Sequence, residues 1–112
     1  RRSVRKINNH VVLITSLCRV APGSEAVCET SPIGLFRADD VDVREGFEVL
    51  ELEVSNFDSG KGAAVFTSCL EAFRRGDCLK TCDTRSPIRF KVRNTGDEPR
   101  FFMACLRGRM VR

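Results

Sequence analysis

The stretch Ile88-Arg89-Phe90-Lys91-Val92-Arg93 decides the fold class. Apolar and cationic residues alternate without a slip over six positions. A period of two belongs to a β-strand with one dry face and one wet face. Ile88, Phe90 and Val92 point to a core, and Arg89, Lys91 and Arg93 point to water. A loop, Gly76 to Pro87, flanks it on one side, and a turn, Asn94-Thr95-Gly96-Asp97-Glu98-Pro99, on the other.

Working outward, the same pattern recurs. Phe47 to Val54 carries Glu48, Glu51 and Glu53 among apolar residues, and the alternation slips between Val49 and Leu50. That slip predicts a β-bulge. His10 to Leu17 is apolar and β-branched and reads as a buried strand. Ile33 to Arg37, Ala63 to Thr67, Arg100 to Leu106 and Arg109 to Val111 complete a set of seven. Ala21-Pro22-Gly23-Ser24 is a turn, and Asn56 to Gly62 reads as a loop. Residues 68–75 hold the only helical spacing, with Leu70 and Phe73 three apart and Glu71 four before Arg75. Seven short strands with one short helix predict an all-β fold, a small β-sandwich.

The chain has 112 residues, which predicts one domain over 1–112. Hydrophobic residues make up 42% and charged residues 30%, too apolar for disorder. No apolar run nears the ~20 residues that cross a bilayer. The net charge is +4 and sits at the ends: Arg1, Arg2, Arg5 and Lys6, then Arg107, Arg109 and Arg112. These basic terminal arms suit acidic partners. Nucleic-acid readers interleave cations with aromatics on one element, and this chain does not. Arg2-Ser3-Val4-Arg5 and Arg109-Met110-Val111-Arg112 fit an R-x-x-R processing pattern. They read either as processing sites or as arbitrary boundaries. With no initiator Met and no leader pattern, the expectation is a mature product.

Six cysteines, Cys18, Cys28, Cys69, Cys78, Cys82 and Cys105, set the compartment. An even count at this density predicts a disulfide framework, and so the extracellular space or the lumen of the secretory pathway. Cys18 and Cys28 flank the Pro22-Gly23 turn and suit a local bridge. Pro22 rules out the helical C-x9-C hairpin that their spacing otherwise fits. Cys78-x3-Cys82 with Cys69 and Cys105 could hold zinc only in a reducing compartment, and the spacing is not that of paired C-x2-C ligands.

Residues Arg44 to Leu50, Ser59 to Val65, Phe73 to Cys78, Ser86-Pro87-Ile88 and Phe101-Phe102-Met103-Ala104-Cys105 resemble, in order and spacing, the phytocyanin branch of the cupredoxins. The resemblance spans residues 43–110 and implies a cupredoxin-like sandwich. It also implies a bridge joining Cys105 to Cys78 or Cys82. A blue-copper site needs two His, a Cys and usually a weak axial Met. Here the first His position is Gly62, and Leu106-Arg107-Gly108-Arg109-Met110 supplies no second one. The resemblance therefore implies a metal-free domain with no cofactor. Pro87 to Asn94 also resembles a late strand of C2 domains, which implies an anionic-lipid or polyanion partner. The aspartates for a C2 calcium site are missing. Asp39, Asp40 and Asp42 lack the Gly and distal Glu of an EF-hand loop and read as a solvated strand edge.

Arg75-Gly76-Asp77 is an RGD tripeptide beside Cys78, a candidate integrin ligand. No nucleophile elbow, phosphate-binding loop or zinc-protease helix occurs. His10 opens an apolar strand and suits a structural role. The expected function is non-enzymatic: a structural or binding subunit that makes protein contacts. Arg75, Gly76, Asp77, Arg107 and Arg109 are the binding candidates.

Overall fold

A computed structural model describes residues 10–30, 35–58, 60, 62–76 and 84–110. It shows nine strands among them, all paired antiparallel, and one short helix. In chain order these are β1 (His10–Ile14), β2 (Cys18–Val20), β3 (Glu25–Glu29), β4 (Leu35–Val43), β5 (Phe47–Asp58), β6 (Ala63–Ser68), α1 (Leu70–Arg74), β7 (Thr84–Asn94), β8 (Arg100–Phe102) and β9 (Ala104–Met110). The all-β class is as the alternation predicted. The helix is one turn and a half, and Gly76 follows it at φ 78°, the left-handed position that ends helices. Among the described residues no helix is long and apolar enough to cross a membrane.

Strand β7 organises the molecule. It pairs with β5 along one edge. Its other edge is shared: β4 takes the start, at Thr84 and Arg85, and β3 takes Arg89 to Arg93. The sheet order β1-β9-β4-β7-β5-β6 thus folds back on itself, with β3 branching from β7. Two layers result, β1-β9-β4 and β3-β7-β5-β6. Their inner faces share one core of Leu13 and Leu106 against Leu52, Ile88, Phe90 and Val92. Phe102 lies fully buried between Phe47, 5.2 Å away edge-on, and Phe90, 5.8 Å away.

The expected bulge is present. The β5–β7 register steps between Val49 and Glu51, so Leu50 is the extra residue. Three expectations need correction. The His10-to-Leu17 strand ends at Ile14, and it is not buried: Leu13 faces the core while Val12 and Ile14 face out. The loop expected from Asn56 begins later, because β5 keeps pairing with β6 through Asp58. The stretch expected as two strands from Arg100 to Val111 divides at Met103 instead, and β9 runs straight through Gly108. Strands β2 and β3 were not expected. The second expected strand extends to Val43 and takes in the acidic stretch; its residues Ile33 and Gly34 lie outside the described residues. Among the described residues β4 pairs beyond Phe36 with β9 alone, so Asp40 and Asp42 do lie exposed along an edge.

Two polar devices hold the layers. Thr15 and Thr30 bridge β1's end to β3's end, and both are 2% exposed. The Thr15 hydroxyl accepts from the Ala104 amide at 2.9 Å, and the Thr30 hydroxyl accepts from the Ile88 amide at 2.9 Å. Each threonine amide in turn donates to the same residue's carbonyl, Ala104 and Ile88 respectively. Asn94, fully buried, is the second device. Its Nδ2 donates to the carbonyls of Val20 (2.9 Å) and Glu98 (2.8 Å), and its Oδ1 accepts from the Gly96 amide (2.9 Å). It pins the turn after β7 to β2.

The Cys18–Cys28 disulfide ties β2 to β3, with Cα atoms 6.2 Å apart. Closing so short a loop is worth about 2–3 kcal/mol in the chain-entropy account. A Cys18→Ser/Cys28→Ser variant is expected to lose about that much in urea unfolding. A loss below about 1 kcal/mol would mean that β2 is held by Asn94 and Phe102 instead.

Candidate protein-contact surface

Each layer has an outer face, and the two differ. On β3-β7-β5 the face is a ladder of charge. Arg93 lies between Glu25 and Glu48 in the strand register, Lys91 between Val27 and Glu51, and Arg89 between Glu29 and Glu53. Arg93 donates to Glu25 at 2.7 Å and to Glu48 at 3.4 Å, Arg89 donates to Glu29 at 2.9 Å, and Lys91 sits 3.7 Å from Glu25. The Arg89 guanidinium also stacks on Phe66, 3.7 Å from its centroid. These side chains are 39–52% exposed, so water screens every pair. Glu25→Ala removes two contacts and is expected to lower stability by no more than about 1 kcal/mol. A larger loss in thermal unfolding would show that the ladder holds the sheet rather than only keeping it wet.

The outer face of β1-β9-β4 is the candidate site. Its rows follow from the register. Ile14, Cys105 and Asp42 form one row, and Val12, Arg107 and Asp40 form the next. The row beyond has Arg109 between His10 and Arg37. Val12 is 53% exposed, Ile14 55% and Met103 39%. Large apolar side chains exposed this far on neighbouring positions mark contact surfaces in soluble domains. A shallow depression of about 270 Å³ lies at one end, lined by Asp42, Val43, Arg44, Met103 and Cys105. Arg107 donates to Asp40 at 3.0 Å. That hydrogen bond, with the nearby carboxylate charge, raises the guanidinium further above its ordinary value. Arg107 is thus a surface cation paired with Asp40, with both side chains more than half exposed.

The binding candidates divide. Arg107 and Arg109 stand side by side on β9, within this face. Arg75 and Gly76 are exposed at the end of α1, on a different element, and Asp77 lies outside the described residues. Of the cysteines, Cys18 and Cys28 pair as their spacing suggested. Cys69 is also disulfide-bonded, and Cys78 and Cys82 lie outside the described residues. The implied bridge from Cys105 is corrected: Cys105 is a free, half-buried thiol. The register explains why. Cys105 points to the outer face of β9, between Ile14 and Asp42, away from the core. The residues of the basic arm at 1–6 and Arg112 lie outside the described residues.

Sequence reasoning missed Val12, Ile14, Arg44 and Met103 as surface, while Asp42 was already expected on a solvated strand edge. The unbroken apolar run of β1 hides which side is wet. Met103 gave no signal, since only its place between β8 and β9 exposes it. Among the described residues no three His, Cys, Asp or Glu side chains converge in a way that could hold a metal ion. No family model, curated protein or solved structure matches the chain.

Proposed function

We propose that this is a secreted or lumenal, non-enzymatic module whose outer β1-β9-β4 face binds a protein. It is read as a metal-free sandwich of cupredoxin-like architecture that works without a cofactor. The observation that carries the reading is the exposure of Val12, Ile14 and Met103 on the face that holds the Arg107–Asp40 pair. Apolar side chains ringed by charge are the usual composition of a contact patch. The Cys18–Cys28 bridge suits an oxidising compartment.

The test is a photo-crosslinking residue at position 14 in a cell that makes the protein. Adducts to protein are expected, and Val12→Lys should abolish them without changing the melting temperature. Adducts to lipid or polyanion alone would favour the polyanion-binding alternative, and no adduct would overturn both. A second reading is adhesion through Arg75-Gly76-Asp77. It is favoured by the exposure of Arg75 and of Gly76, whose Cβ position meets open space. Asp77→Glu should then abolish cell attachment, and unchanged attachment removes this reading.

A further inference from the structure

We infer that the depression at the end of the β1-β9-β4 face is a contact with a second copy of this chain. The inference rests on the proposed protein-contact role and names the partner. Asp42 near the end of β4 and Arg44 just past it are both exposed, and both line the depression. The buried or half-buried Val43 and Ala104 between them point in. Opposite Asp42 stands Cys105. Opposite Arg44 stands Met103, whose carbonyl accepts from the Arg44 amide at 3.2 Å. The patch is thus a square: an acid and a thiol in one row, a base and a thioether in the other.

Neither charge is held in an ion pair among the described residues. Asp42 makes no such contact, although Arg107 in the next row feels its charge, and the Arg44 guanidinium donates to the Phe101 carbonyl, at 2.9 Å. In contrast, Asp40 is engaged by Arg107 and every cation of the β7 ladder has a carboxylate. The square is complementary to itself. A twofold axis across the strands, through Val43 and Ala104, exchanges the two rows. It sets each Asp42 on Arg44 of the second copy and each Cys105 on its Met103. A closed isologous pair needs this arrangement, in which i meets j and j meets i. The sulfur-bearing side chains fill the middle, where polarizable groups adapt to imperfect fit. The patch is far smaller than the roughly 1,600 Å² of a standard interface, so the pair is transient and concentration-dependent.

The test is sedimentation equilibrium of the intact protein over a rising concentration series. The wild type is expected to move from monomer to dimer. Asp42→Arg alone places cation on cation, and Arg44→Asp alone places anion on anion; each should weaken association by about tenfold or more. Mixing these two variants pairs opposite charges at both contacts and should restore a heterodimer. That recovery requires both variants to be folded, so misfolding cannot imitate it. In Met103→Cys, each new thiol meets Cys105 of the second copy, and mild oxidation should yield a covalent dimer. A wild type that stays monomeric throughout overturns the inference, and so does a mixture that associates no better than its components. If protein adducts at position 14 persist in that event, the contact role stands and only the identity of the partner is wrong.

Discussion

Asn94→Asp is expected to unfold the domain or leave it only marginally stable. The change is nearly isosteric and swaps one NH2 group for an oxygen. In the native protein that NH2 donates to two carbonyls, Val20 and Glu98, in a fully buried site. A carboxylate there aims a negative charge at two carbonyl oxygens. Among the described residues the Gly96 amide, already held by Oδ1, is the one donor that remains to the side chain. An uncompensated buried charge costs about 3–5 kcal/mol. Domains of this kind have about 5–15 kcal/mol in all. Acidifying the buffer protonates the new carboxyl, which then donates one hydrogen bond, so part of the loss should return at low pH. Asn94→Ala is expected to cost less than Asn94→Asp, because it strands two carbonyls without adding a charge. Urea unfolding of the three proteins gives the order. A variant with Asp at this position that lies within about 1 kcal/mol of wild type would show that water reaches the site.

Asn94 also shows where reading the chain reaches its limit. The sequence around it, Asn94 to Pro99, announces a turn, and a turn is present. Nothing local shows that the asparagine side chain turns inward to hold β2, 74 residues earlier. Periodicity reports burial of apolar surface, not the partners of a buried polar group. The strands follow the same logic. β7 was legible because its apolar and cationic residues alternate. β5 was legible even in its defect, since adjacent Val49 and Leu50 cannot both face the core without a bulge. β3 was not legible. Its inward residues are Ala26 and Cys28, while Val27, its strongest β-former, faces solvent. β1 was found as a strand but assigned the wrong environment, because its four consecutive apolar residues, Val11 to Ile14, carry no alternation to read. The Cys18–Cys28 pair followed from spacing around a turn. The free thiol of Cys105 did not, since only the β1-β9-β4 register shows which way it points.

The paired threonines support a prediction that runs against hydrophobicity. Thr15→Val and Thr30→Val keep the volume of each side chain and make it more apolar, yet each is expected to destabilise by about 1–3 kcal/mol. The reason is the neighbouring strand. Each hydroxyl is the acceptor for a buried amide, Ala104 on β9 and Ile88 on β7. Removing the acceptor strands an N–H that has already given up water. The two sites face each other across the Thr15–Thr30 bridge, the place where the β1-β9-β4 layer meets the β3-β7-β5-β6 layer. The double variant should therefore lose about 3–5 kcal/mol, with a coupling between the sites that a double-mutant cycle can read. Thr30→Ser is the control. It gives up a methyl group, at a cost of about 1 kcal/mol, and keeps the acceptor. Serine outperforming valine at a 2% exposed position is the expected signature. If valine matches or exceeds wild type at both positions, the hydroxyls are not what closes this end of the sandwich. The closure would then rest on the apolar packing of Leu13, Ile88 and Ala104 alone.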